Sequence, residues 1–303
     1  MFSNAFLSQK PVRLLTSSSS IGRYFRSGVG RLALNRILFT AEEVADGFLI
    51  DASDFRAKHM TEVLRLEKGG VFKAGIANVG LANAKIENIG DQIHCSLEAE
   101  LVQVDKPVVD LILACPRPLR LERLLPIIAC IGVGKVVIVG GSKVVPDYFG
   151  SHLFRRPLSV QKALHEGLMQ ASCDYHVPDF IVRKRLDKLF SLSSLDELFP
   201  IEEYTRILAH PPIPSDSELH EKGLHIAEYS SNRFMDVVQS SKQQKIVVAV
   251  GPEGGWTAEE ADSFLENQFH SIDLGSRILR TDIAVPILLA FCHEWIAAQK
   301  NKK

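Results

Sequence analysis

The sequence predicts an α/β chain in which a small β-barrel precedes a mostly parallel sheet covered by helices. Three observations predict it. Before Pro107, short apolar stretches are punctuated by glycine, the rhythm of a small barrel. After Pro107, continuous apolar runs alternate with helical patterns, the rhythm of strands buried on both faces and joined by helices. The chain has 303 residues, 46% hydrophobic and 23% charged, which suits two ordinary domains or one large one and excludes disorder as the overall class.

Taken in order, Val71 to Ala77, Ala84 to Ile89 and His94 to Val104 read as strands, separated by Gly69-Gly70, Gly80 and Gly90-Asp91. Ahead of them, Arg56 to Arg65 has Met60, Val63 and Leu64 at helical spacing. Its Lys58, His59 and Arg65 form either a basic contact patch or a solvated helix face. Past Pro107, Val108 to Ala114 is a buried strand. Leu119 to Ile131 is helical, with Pro126 expected to kink it. Lys135 to Val139 is a strand, residues 157–172 and 186–198 are helical, and Arg206 to Ala209 and Lys245 to Val250 are further buried strands. Pro211 to Ser217 is a loop with three prolines. Helices over about 257–267 and 282–298 end the chain. The expected divisions are an extension over 1–34, a barrel over 35–105 and an α/β domain over 106–303.

Charge is distributed unevenly. Six of the 35 basic residues (Lys10, Arg13, Arg23, Arg26, Arg31 and Arg36) and none of the 36 acidic ones fall in residues 1–41, so the net charge of −1 conceals a remainder acidic by seven. With Ser17 to Ser20 in a row, that start has the composition of an organelle transit peptide. It predicts a mitochondrion, or a chloroplast, and a cytoplasmic protein if the segment is a disordered tail. No apolar core for a secretory signal follows it. No uncharged apolar run approaches the 18 or more residues of a membrane helix, so no membrane partner is expected. The five cysteines, at 95, 115, 130, 173 and 292, are irregularly spaced, without C-x-x-C, which argues against disulfides and structural zinc.

Glycine loops at strand ends carry the chemistry. The strand Ile246 to Val250 runs into Gly251-Pro252-Glu253-Gly254-Gly255-Trp256, and Thr257 with Glu260 has the spacing of a capping box that starts the next helix. Glycines there let a backbone approach a ligand closely, and ligands of open α/β sheets bind at that end. Next, Leu274-Gly275 leads through Arg277, Ile278, Leu279 and Arg280 into the last helix, with Thr281 or Asp282 as its cap. Arginines beside a helix N-terminus attract anions. Third, Leu208-Ala209-His210-Pro211 is a strand entering a rigid turn. Gly132-x-Gly134 precedes a strand, so it is no dinucleotide fingerprint. No P-loop, H-E-x-x-H or G-x-S-x-G occurs, and the scattered histidines give no metal cluster.

These residues carry a resemblance. Gly251 to Gly255, the run Leu274 to Thr281 and Ala284-Val285-Pro286 resemble the RsmE family, together with Cys115-Pro116-Arg117-Pro118, Gly132-Val133, Glu166 to Gln170 and Val177-Pro178. Upstream, Arg36, His59 and Val63-Leu64-Arg65 resemble the family's N-terminal domain. The match spans about residues 35–297. It implies a PUA-like RNA-binding β-barrel followed by a trefoil-knotted SPOUT methyltransferase domain, an exception to the rule that chains are unknotted, and it implies a homodimer. The implied activity is methylation of N3 of a uridine in 16S-type small-subunit ribosomal RNA, with S-adenosylmethionine as methyl donor. The implied cofactor residues are Leu208, His210, Gly251, Pro252, Glu253, Gly254, Gly255, Leu274, Gly275, Ile278 and Leu279. Arg36, His59, Arg65 and Arg117 are the implied RNA contacts. Arg280, then Arg277, is the expected catalytic cation. Departures from the family pattern are Trp256 for phenylalanine, Asp282-Ile283 for Glu-Thr, and Cys173-Asp174 where an arginine is common. A non-catalytic RNA-binding protein and a methyltransferase for another RNA are the alternatives.

Overall fold

The computed structural model describes residues 36–191, 194–210, 232–275 and 277–300. The expected N-terminal extension and the Pro211 to Ser217 loop lie outside them, as does Ser276 of the second motif. The described residues form two compact units. One runs to Asp105 and includes Leu168–His176, and the other comprises the remainder from Lys106 onward. A division of the chain at 105/106 alone does not include the segment Leu168–His176.

The first unit is built on a five-stranded mixed sheet of β1 (Ile37–Phe39), β2 (Leu49–Asp51), β3 (Val71–Ile76), β4 (Gly80–Ile89) and β5 (Gln92–Leu97). Its order is β1-β3-β4-β5-β2. β1 pairs parallel with β3, and the other pairs are antiparallel. Phe39, Ile50, Met60, Ala84, Ile86 and Ile93 are buried between its curled faces, and the Phe39 and Phe48 rings meet edge to face at 4.4 Å. The sequence places a break at Gly80, but β4 begins there. A Cβ on Gly80 would lie 3.0 Å from Leu101 Cβ. The glycine lets the Leu101–Val102 segment cross and pair with Leu81. That crossing segment is why β5 ends at Leu97 and does not run on to Val104. The expected helix over 56–65 starts as α-helix at Phe55–Lys58, capped by the Asp54 side chain, and widens to a π-turn over His59–Val63.

The second unit holds a six-stranded, fully parallel sheet. Its strands are β6 (Val109–Ala114), β7 (Lys135–Val139), β8 (Asp179–Arg183), β9 (Tyr204–Ala209), β10 (Lys245–Val250) and β11 (His270–Ile272), in the order β11-β9-β10-β6-β7-β8. The apolar runs in β6, β7, β9 and β10 are buried almost throughout. Helices Pro118–Ile131, Ala258–Glu266 and Thr281–Lys300 accompany them, with helix Pro157–Ala171 as far as Gly167. Pro126 lies inside an unbroken helix. Gly167 serves close helix packing there, since a Cβ would fall 2.1 Å from the Pro126 carbonyl oxygen. The helix expected over 186–198 is two short ones, Asp187–Phe190 and Ser194–Leu198. Ser191 ends the first by turning extended while its hydroxyl donates to the Lys188 carbonyl, the competition with helix that serine offers. The last helix begins at Thr281, with the Arg280 carbonyl accepting its first bonds. The expected cap by a Thr281 or Asp282 side chain is therefore corrected to Arg280.

Candidate functional site

Because all six strands of the second unit are parallel, their C-terminal ends share one edge. β9, β10 and β11 are neighbours there, and the three loops that follow them enclose one cleft. Ala209 and His210 come from β9. Val250 to Glu253, Gly255 and Trp256 come from β10. Ile272 to Gly275 and Arg277 to Leu279 come from β11. Thr281, Ala284 and Leu288 of the last helix complete the lining.

The glycines have different jobs. Gly255 has φ +70°, a left-handed conformation costly for other residues, and its N–H donates to the Pro252 carbonyl at 2.8 Å. Gly275 has φ +94° and donates its N–H to Asp273 Oδ1 at 2.7 Å. Gly251 makes room for the indole of Trp256, whose atoms lie 3.2 Å from where a Cβ would stand. Trp256 is 3% exposed and its ring packs at a tilt on Phe264, 5.0 Å between centroids. Its Nε1 is buried without a hydrogen-bond partner among the described residues, so the cleft wall holds an unused donor.

Neighbouring strands brace the loop after β10. Glu260, itself buried, caps its own helix by accepting from Thr257 N–H at 2.9 Å. Its other oxygen accepts from Ser142 N–H, in the loop after β7, at 2.6 Å. Lys143 donates to the Gly254 carbonyl at 2.8 Å. On the opposite side Arg120 donates to Glu253 at 2.8 Å. Beneath Glu253 the Cys115 thiol is pushed up to about 12 by burial and then by that carboxylate's charge, so it stays protonated at neutral pH.

Ten of the thirteen residues expected around cofactor and chemistry line the cleft: His210, Gly251, Pro252, Glu253, Gly255, Leu274, Gly275, Arg277, Ile278 and Leu279. Three do not. Leu208 is wholly buried within β9. Gly254 faces Lys143. The largely exposed Arg280 side chain reaches Asp282 at 3.2 Å. Among the expected RNA contacts, the Arg36 guanidinium donates to the carbonyls of Ala74, Ala82 and Ser172, which ties it to the first unit's sheet. His59 has a buried Nε2 without a hydrogen bond among the described residues. Arg65, at φ +51°, and Arg117 are exposed. Sequence reading missed Asp273 and Arg120. It read Glu260 as a cap but not as the tie to Ser142, which no local pattern announces.

Similarity to known proteins agrees with this architecture. Residues 104–293 match the family described as the RNA methyltransferase domain. A relative named ribosomal RNA small subunit methyltransferase E, from Treponema pallidum, is 27% identical over 272 residues, covering 86% of this chain and 93% of its own. Among solved structures, a probable rRNA-methyltransferase from Porphyromonas gingivalis superposes with a TM-score of 0.65 at 18% identity, covering 87% of this chain and 99% of its own. A ribosomal RNA small subunit methyltransferase E from Neisseria gonorrhoeae, solved bound to S-adenosyl methionine, gives 0.62 at 20% identity, covering 86% and 96%. The chain belongs to the RNA methyltransferase domain family, among its RsmE-type members.

Proposed function

We propose that this protein transfers the methyl group of S-adenosylmethionine to N3 of a uridine in small-subunit ribosomal RNA. One observation carries the reading: three strand-end loops, two of them bearing glycines and all three legible in the sequence, converge on a single cleft at the C-terminal edge of the parallel sheet. The cleft fits the cofactor's chemistry. Val250, Ile272, Leu274 and Leu279 offer an apolar surface for a flat base. Glycine backbone permits close approach, and the Trp256 Nε1 is a buried donor still to be used.

When bound, the cofactor supplies a methyl group on a sulfonium, from which sulfur leaves as a neutral thioether. The protein's task is to hold the uracil N3 in line with that carbon, and proximity of this kind can remove much of a barrier. N3 must shed its proton as the new bond to carbon forms. Arg277, in the cleft lining, would meet the negative charge that develops on the uracil. Glu253, fixed by Arg120, would orient the base or the cofactor's amine. Arg280, paired with Asp282, is the second choice for the cation. The target base must be unpaired or flipped out, since pairing hides N3.

The finer expectations belong to the same reading. A trefoil knot is supported by the strand order, in which β10 enters between β9 and β6 and the final helix then packs back on β6 and β10. A PUA-like role for the first unit is supported by its curled sheet. A homodimer is supported by Ile278, Ile283 and Phe291, which leave apolar surface exposed on and before the last helix. Import into mitochondria rests on the basic, acid-free start of the chain. The test is nuclease digestion and mass spectrometry of small-subunit rRNA from a deletion strain. Loss of one N3-methyluridine, restored by the wild-type gene, is the expected result. Unchanged N3 methylation in both organelle and cytosolic rRNA would overturn it.

A further inference from the structure

A second cleft opens on the same edge of the parallel sheet, where the loops after β7 and β8 part. Gly140, Gly141, Asp147, Phe149, Arg155 and Lys184 line it. Gly140 is required there by its close approach to the neighbouring loop, because a Cβ would lie 2.0 Å from the Lys184 carbonyl oxygen. The two loops thus touch at their base.

Its two cations are not held by carboxylates. Arg56, Arg120, Arg185, Arg206 and Arg280 each reach a carboxylate. Arg155 and Lys184 are exposed, and neither has a carboxylate within ion-pair distance among the described residues. Phe149 lines the same cleft, half-buried, its ring braced by Phe154 at 5.4 Å. A fixed aromatic face beside unpaired cations is how proteins hold single-stranded nucleic acid, with a base on the ring and phosphate on the cations. Asp147 adds an acceptor that suits a base amine or a ribose hydroxyl.

We propose that this cleft binds a nucleotide flanking the methylated one, its base stacked on Phe149 and its phosphates met by Arg155 and Lys184. The inference rests on the RNA methyltransferase reading above and deepens it. The loop that lines this cleft is also the loop that grips the cofactor edge, through Ser142 to Glu260 at 2.6 Å and Lys143 to Gly254 at 2.8 Å. A strand anchored here would therefore present its neighbouring base toward the first cleft.

The test uses the full chain and fluorescence anisotropy with a labelled ten-nucleotide oligouridylate, alongside calorimetry with S-adenosylmethionine. Phe149→Ala is expected to weaken RNA binding about 10-fold, the scale of one base–aromatic stack. Phe149→Trp restores it. The double variant Arg155→Ala/Lys184→Ala is expected to flatten the salt dependence of binding, by about 0.7 in the log–log slope for each phosphate no longer neutralised, whereas Phe149→Ala leaves that slope alone. Cofactor affinity stays at the wild-type value in all three. Wild-type RNA affinity and salt slope in both alanine variants would overturn the inference and leave the function standing. A wild-type protein that binds S-adenosylmethionine but not the RNA also overturns it. One that binds neither overturns the function reading beneath it.

Discussion

The two edges of the parallel sheet are made from the same six strands and are opposite in character. At the N-terminal edge the polar groups around Asp110 are buried and matched. Asp110 near the start of β6 accepts from Tyr204 Oη at 2.7 Å and from Lys135 N–H at 2.6 Å. The Lys135 ammonium donates to Tyr204 Oη and to the Leu198 carbonyl and lies over the Phe199 and Tyr204 rings. Gly134 is glycine because a Cβ would press on Asp110 Oδ1 at 2.8 Å. At the C-terminal edge the polar groups are left open: an unpartnered indole N–H, unpaired cations and glycine turns. A closed network specifies structure, and an open one waits for a ligand. The same residue types therefore have opposite consequences at the two edges, and mutations separate them.

The largest effect is expected at the closed edge. Asp110→Ala removes the acceptor shared by the Tyr204 hydroxyl and the Lys135 backbone N–H, leaving both donors without it. The cost is about 3–5 kcal/mol, read as a fall in the urea midpoint. Cofactor affinity of the folded fraction remains at the wild-type level. An Asp110→Ala protein of normal stability with impaired cofactor binding would break the division between the edges.

At the open edge, Arg277→Ala is expected to lower the single-turnover methylation rate roughly 10²–10³-fold at saturating cofactor, with an unchanged urea midpoint. Arg277→Lys recovers little, since an ammonium lacks the planar fork. Arg280→Ala tests the other assignment. Its exposed pair with Asp282 contributes little to stability, and its rate is expected to stay near wild type. A large rate loss for Arg280→Ala with a normal rate for Arg277→Ala would reverse the two roles.

A smaller effect distinguishes two adjacent glycines. Gly255→Val forces a β-branched residue to φ +70°, and such strain costs about 1–3 kcal/mol, so cofactor affinity is expected to fall about 10–100-fold. In Gly254→Val the new Cβ meets only the flexible Lys143 chain at 3.0 Å, and affinity changes by less than about 3-fold, the scale of a surface substitution. Equal losses in calorimetric titrations would mean that the loop fails as a unit.

That pair also marks the limit of what the sequence makes legible. The buried strands are visible because burial on both faces requires continuous apolar runs, and the cofactor loops because glycine after such a run has few structural reasons. Nothing local separates Gly254 from Gly255, since a positive φ at one of them is decided by where Pro252 and Trp256 pack. The roles of Arg36 and Arg56 are hidden for the same reason. Both look like surface cations in sequence, yet one binds three carbonyls and the other lies between Glu43 and Asp54. The second cleft escapes because Phe149 and Lys184 belong to different strand ends and share no motif. Glu260 is half legible: its capping spacing is local, but its bond to Ser142 spans 118 residues.

The smallest expected effect is a pH dependence that belongs to the closed edge. His293 of the last helix packs on Gly132, which turns the chain from helix Pro118–Ile131 toward β7. Burial holds its imidazole below the usual histidine value of 6.5, although a hydrogen bond to the Gly132 backbone pulls the other way. Its Nε2 is buried with no hydrogen bond among the described residues, so a proton there would have no acceptor. In the unfolded chain the imidazole takes up that proton near 6.5, and the folded chain does so only at lower pH. The unfolded state then binds more protons, so this contribution is fully present above 6.5 and is lost as pH falls through that value toward the folded one. His293→Gln removes the titrating group and keeps an amide donor for the Gly132 carbonyl. The wild-type Tm is therefore expected to fall more steeply than the variant's from about pH 7 to about pH 5, while cofactor affinity of the folded protein shows no such difference. Parallel Tm curves would mean that the buried imidazole does not titrate with folding, and a steeper loss of cofactor affinity in the wild type would tie His293 to the open edge instead.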